Sequence, residues 1–91
     1  MNVAIKVFPD TYVDSVAQLS AMRAMPQVDG VDWASAAMGT PANTELLRER
    51  GIASGEIADM GANDFVLVVT AISEDTANEA LAAGESAVFS A

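Results

Sequence analysis

The run Phe65-Val66-Leu67-Val68-Val69 is apolar at every position, and that is the strongest constraint in the chain. Successive side chains of a strand point to opposite faces of a sheet. A strand built on this run therefore has to bury both faces, as a strand covered by helices on two sides does. Extended to Asp64–Ile72, it is the predicted centre of the fold.

The rest of the chain supplies the layers. Val3, Ile5 and Val7 alternate with Ala4, Lys6 and Phe8, a strand pattern ended by Pro9-Asp10. A helix is predicted from about Val13 to Met25. Thr11 is its N-cap, Asp14 lies in its first turn, and Val13, Val16, Ala17, Ser20 and Ala24 form one face. Pro26 stops it, and Val28-Asp29-Gly30 turns the chain. Val31–Met38 reads as a second strand, the least apolar of the three, and belongs at a sheet edge. Gly39-Thr40-Pro41-Ala42-Asn43 opens a short helix over about Asn43–Arg50, closed by Gly51 as a left-handed C-cap. Ile52–Gly61 is a predicted loop. Ser73 caps the last helix, whose buried stripe is Ala77, Ala80, Leu81, Gly84 and Val88.

The order β-α-β-α-β-α, without linker or repeat, predicts one α/β domain over residues 1–91. Strands alternating with helices imply a three-stranded, mainly parallel sheet with right-handed crossovers. The strand order is either 2-1-3, or 1-3-2 with the third strand inserted in a ferredoxin-like way.

Charge and composition restrict function. Thirteen acidic residues against four basic ones give a formal charge of −9. Lys6, Arg23, Arg48 and Arg50 are too few and scattered to neutralise a nucleic-acid backbone or an anionic membrane. Without cysteine or histidine there is no thiolate, no imidazole base and no soft-metal ligand pair. The longest apolar run falls far short of the ~20 residues of a membrane span, and the first residues do not resemble a signal peptide. The expected location is cytoplasmic. The apolar fraction of 52% is rich in alanine, with 5% aromatics, so the core is thin and self-association is expected to supplement it.

In a parallel sheet the three strand-to-helix turns share one edge, where such folds bind ligands. That edge would gather Asp14 and Ser15, then Gly39–Asn43, then Ser73 and Glu74. Gly39 permits close backbone approach, Thr40 and Asn43 can donate hydrogen bonds, and the free N–H groups of the helix start, at Ala42, point outward. With Ser15 and the positive charge of Lys6 these form a candidate anion or ligand site. The same residues fit an ordinary helix start better, with Thr40 or Asn43 as cap and Pro41 in the first position. Asp10, Asp14, Glu74 and Asp75 would crowd an anion there. Those carboxylates fit helix capping better than a hard-metal site, so no metal and no cofactor are expected. Ser15 and Ser73 have no histidine to activate them. Leu19 and Met22, off the helix's core stripe, and Trp33, on the edge strand, are interface candidates. If Gly39 meets a ligand, Gly39→Val is expected to abolish function while leaving the fold largely intact.

Ala36-Ala37-Met38-Gly39-Thr40-Pro41-Ala42-Asn43, followed by Leu46-Leu47, resembles the start of FdrA-type proteins, which are acyl-CoA-synthetase-like and similar to the α subunit of succinyl-CoA synthetase. Asp14-Ser15-Val16, Ala62-Asn63-Asp64 and Ile5-Lys6 extend the resemblance along nearly the whole chain. It covers only that family's N-terminal portion. The resemblance implies a small, non-catalytic subunit or domain of a ligase- or carbamoyltransferase-type complex, partnered by larger FdrA-like or CoA-ligase-like subunits or by itself. The family's phosphohistidine has no counterpart in a chain without histidine. The alternatives are a self-associating small-molecule-binding or regulatory module, and a purely structural assembly protein.

Overall fold

The computed structural model describes residues 2–52 and 54–90. Three strands form one sheet: β1 (Asn2–Phe8), β2 (Val31–Met38) and β3 (Phe65–Ala71). Four helices join or follow them: α1 (Ser15–Ala24), α2 (Pro41–Glu49), α3 (Gly55–Ala58) and α4 (Glu74–Phe89), with a 3-10 turn at Met25–Gln27.

The strand order is β1-β3-β2, with β3 antiparallel to both neighbours. The both-faces-apolar strand is thus the central one, and β2 is at an edge. The expected mainly parallel sheet is corrected. β1, α1 and β2 make a parallel crossover, but β3 fills the gap between the two strands. β2 and β3 are the arms of a hairpin, since Met38 pairs with Phe65. Residues 39–64 form an insertion at the hairpin's tip. The alternation of strands and helices suggested a crossover because that insertion is itself helical.

Each sheet face has its own cover. On the first, Phe65, Leu67, Val69 and Ala71 pack with Ala21 of α1, with Met25 just after it, and with Ala77, Ala80 and Leu81 of α4. On the second, Val66 and Val68 meet Leu47 of α2, Ile52, and Ile57 of α3, flanked by Ile5, Val7, Trp33 and Met60. The predicted loop at Ile52–Gly61 therefore contains a helix, α3, capped by the Ser54 hydroxyl. One turn carrying Ile57 is enough to close the second face.

Helix starts follow local chemistry. Asp14, not Thr11, caps α1, its carboxylate accepting from the Ala17 N–H at 2.9 Å. Thr11 instead donates back to the Pro9 carbonyl. Thr40 caps α2 with Pro41 first, and Ser73 caps α4. Gly51 ends α2 at φ +90°, a conformation that disfavours a β-carbon.

The core face of α1 differs from the expected one. Ala21 is buried and Ala17 half-buried, whereas Val16 and Ser20 are exposed. Here α1 lies close against α4 through small residues. A β-carbon at Gly84 of α4 would come within 2.7 Å of Met25. The helix turns Ala17 and Ala21 toward the core and leaves Val16 outside.

Candidate functional site

The antiparallel β3 redistributes the predicted edge. The turns after β1 and β2 lie together with the segment entering β3, because Phe8, Met38 and Phe65 are paired neighbours. Ser73, Glu74 and Asp75 follow the other end of β3 and lie at the opposite edge. They neither join the Gly39 turn nor crowd it.

At the Gly39 turn each candidate group is engaged within the chain. The Gly39 N–H donates to the Asp64 carbonyl at 2.8 Å, extending the hairpin ladder. A β-carbon at Gly39 would stand 2.4 Å from Met60 Cγ and 2.5 Å from the Gly61 carbonyl oxygen. The close approach that glycine permits is thus to the chain's own backbone. Thr40 Oγ1 accepts from the Asn43 N–H at 3.2 Å, and Asn43 Nδ2 donates to the Met38 carbonyl at 2.9 Å. Ala42 and Ser15 are exposed. Lys6 lies two positions before the end of β1, its ammonium on Glu85 of α4 at 2.8 Å and 5.3 Å from the Phe8 ring centre. The structure does not bring Lys6 and Ser15 into the turn's hydrogen bonding.

Asp64 ties this edge together, and its role was not read from the sequence. Its carboxylate accepts from the Gly61 N–H at 2.8 Å and from the Asp10 N–H at 2.9 Å. Asp10 is held at φ +50°, a left-handed conformation that aspartate tolerates better than most residues. Asp64 thereby clamps the turn after β1, the turn after β2 and its own loop. The Gly61 N–H, then the Asp10 N–H, hold its carboxyl below the ordinary value of 3.8, with slight opposition from burial. A depressed folded-state pKa means that the clamp's contribution is complete above the ordinary carboxylate range and is lost as pH falls through the folded value. Asp64→Asn is expected to lower stability near neutral pH, and its difference from wild type to shrink below about pH 4. Urea unfolding at about pH 7 and about pH 3 measures both; a gap that persists undiminished in acid contradicts the clamp.

The interface candidates separate. Leu19 is 48% exposed. Met22 is half-buried against the first core cluster. Trp33 packs on the second cluster, with the Arg50 guanidinium 4.1 Å over its ring. Val16, 73% exposed, joins Leu19 on the outside of α1, and Tyr12, 79% exposed, lies in the segment before the helix. For Val16 and Leu19 the sequence signal is their three-residue helical spacing.

Among the described residues no group of three or more acidic side chains is placed to hold a metal ion. No helix among them is long and apolar enough to cross a membrane.

A family model described as AllF, heavy metal-associated domain, matches residues 1–91. The uncharacterized protein YahF of Escherichia coli (strain K12) is 33% identical over 69 residues, 76% of this chain. The chain spans only 13% of the length of that relative. No solved structure matches. These findings overturn the resemblance to FdrA-type acyl-CoA-synthetase-like proteins. The short runs that carried it, such as Met38–Asn43, are a strand end, a helix cap and a tight turn, which local backbone chemistry accounts for.

The family's name raises heavy metals, and this chain's donors do not fit them. Soft metals select thiolate and imidazole, and the sequence holds neither cysteine nor histidine. Of the thioethers, Met22, Met25 and Met38 pack into the first core and Met60 into the second. By sequence match over residues 1–91, though with neither cysteine nor histidine, the chain belongs to the AllF heavy metal-associated domain family.

Proposed function

We propose that the chain is a non-catalytic assembly module, acting by holding protein surfaces together, with larger polypeptides or further copies of itself as partners. The observation that carries this reading is the pair Val16 and Leu19 left in solvent on α1, with the exposed Tyr12 in the segment just before the helix. Clustered exposed apolar side chains mark interaction surfaces. The lack of histidine and cysteine supports it from the other side, since hydroxyls such as Ser15 and Ser73 have no base to activate them. A cytoplasmic setting is part of the same proposal.

Purified under native conditions from its own host, the tagged chain is expected in a stoichiometric protein assembly that survives chelators. Recovery as a lone chain carrying stoichiometric heavy metal, or turnover by the isolated chain that persists through repurification, contradicts the reading.

A further inference from the structure

We infer that the outer face of α1 is a two-fold interface, and that its occupant is a second copy of this chain. The inference rests on the assembly reading and names its surface and partner.

The surface is selected by charge as well as by exposure. Every protein of charge −9 repels its own copies, so a self-interface has to lie where acid is scarce. Within Ser15–Ala24 the one charged side chain is Arg23. The other long helices differ: α4 carries Glu74, Asp75, Glu79 and Glu85, and α2 carries Glu45 and Glu49. Val16, Leu19, Ser20 and Arg23 recur at helical spacing on the solvent side of α1, preceded by Tyr12. The only acidic neighbour in this row is the N-cap, Asp14.

This pattern is self-complementary under a two-fold operation. Two copies of α1 packed antiparallel across an axis near Leu19 and Ser20 set apolar centre on apolar centre. Each Arg23, near the helix C-terminus, then reaches the partner's helix start, where the Tyr12 ring offers a cation–π face and the Asp14 carboxylate an opposite charge. A parallel arrangement would instead place Arg23 against Arg23. The antiparallel order is therefore the one in which ends attract and centres exclude water.

Sedimentation equilibrium of the full chain at tens of micromolar is expected to give about twice 9.4 kDa. The double variant Val16→Glu, Leu19→Glu puts four carboxylates at the axis. It should sediment as a monomer, with dimer affinity reduced at least about a hundredfold, and with an unchanged circular dichroism spectrum because both positions are exposed. Arg23→Glu, a milder change, should weaken the dimer at least about tenfold. Ala82→Glu, on the exposed side of α4, should leave it intact. A wild-type chain that stays at 9.4 kDa, or a folded double variant that remains dimeric, overturns the inference. A monomer that still forms a stoichiometric complex with a different protein removes the two-fold dimer but leaves the assembly reading standing. Should the double variant fail to fold, Arg23→Glu decides alone, and an undiminished dimer there overturns the inference.

Discussion

Phe65→Ala is expected to cost about 3–5 kcal/mol, the usual range for deleting a fully buried phenylalanine ring. Phe65 is completely inaccessible and lies in the central strand. Its ring centre is 5.8 Å from that of Phe8 and 6.2 Å from that of Phe89, which stand 5.1 Å from each other. This trio holds the end of α4 to the ends of β1 and β3. Elsewhere that face is rich in alanine, with Ala36, Ala71, Ala77 and Ala80 among its buried residues, and such short side chains cannot extend to fill the cavity. A domain of this size has a total stability of roughly 5–15 kcal/mol, and the loss would consume a large part of it. Urea unfolding should show a midpoint shifted far down or no folded baseline at all. Phe89→Ala, at a position 47% exposed, should cost clearly less. Equal midpoints for Phe65→Ala and wild type would contradict the placement of the core.

Gly39→Val is expected to destabilise the fold by about 3 kcal/mol, the upper part of the usual range for forcing atoms into a packed site. Met60 Cγ, 2.4 Å from the would-be β-carbon, could swing away. The Gly61 carbonyl oxygen at 2.5 Å cannot do so cheaply, because it accepts the Asp64 N–H at 3.0 Å. Moving that peptide unfastens the clamp at the hairpin tip. This reverses the expectation from sequence that the substitution would spare the fold. Gly55→Ala is the matched control, since nothing lies within 4 Å of its added carbon. Thermal unfolding should find Gly55→Ala close to wild type and Gly39→Val well below it. A Gly39→Val chain as stable as wild type would reopen the space beside Gly39 to a ligand.

The parts of the fold written in local chemistry were legible. Phe65–Val69 announced a central strand, Ser73 a helix cap, and Gly51 a left-handed stop. The ferredoxin-like order 1-3-2 was among the two readings of the strand pattern. Strand direction was not legible, because the insertion between β2 and β3 is helical and imitates a crossover. Helix α3 was hidden by its brevity, one turn between glycine-rich breaks.

The site was less legible for a related reason. Val16 is a core residue by hydrophobicity, yet α1 turns Ala17 and Ala21 inward and leaves Val16 73% exposed. Gly39 offered the pattern of a ligand cradle, but its neighbour in space is Gly61, distant in sequence. Asp64 looked like a strand-entry residue, and only the folded hairpin shows that its carboxylate spans two turns. In each case the deciding contact joins segments that no local window contains.

Native mass spectrometry of the chain in the presence of Cu(I), Zn(II) and Cd(II) reads protein copies and bound metal in one spectrum, and so tests the central claim most directly. The account predicts an assembly of protein chains whose mass contains no stoichiometric metal, with the same number of copies before and after chelation. A lone chain of 9.4 kDa that retains one equivalent of a heavy metal would contradict it.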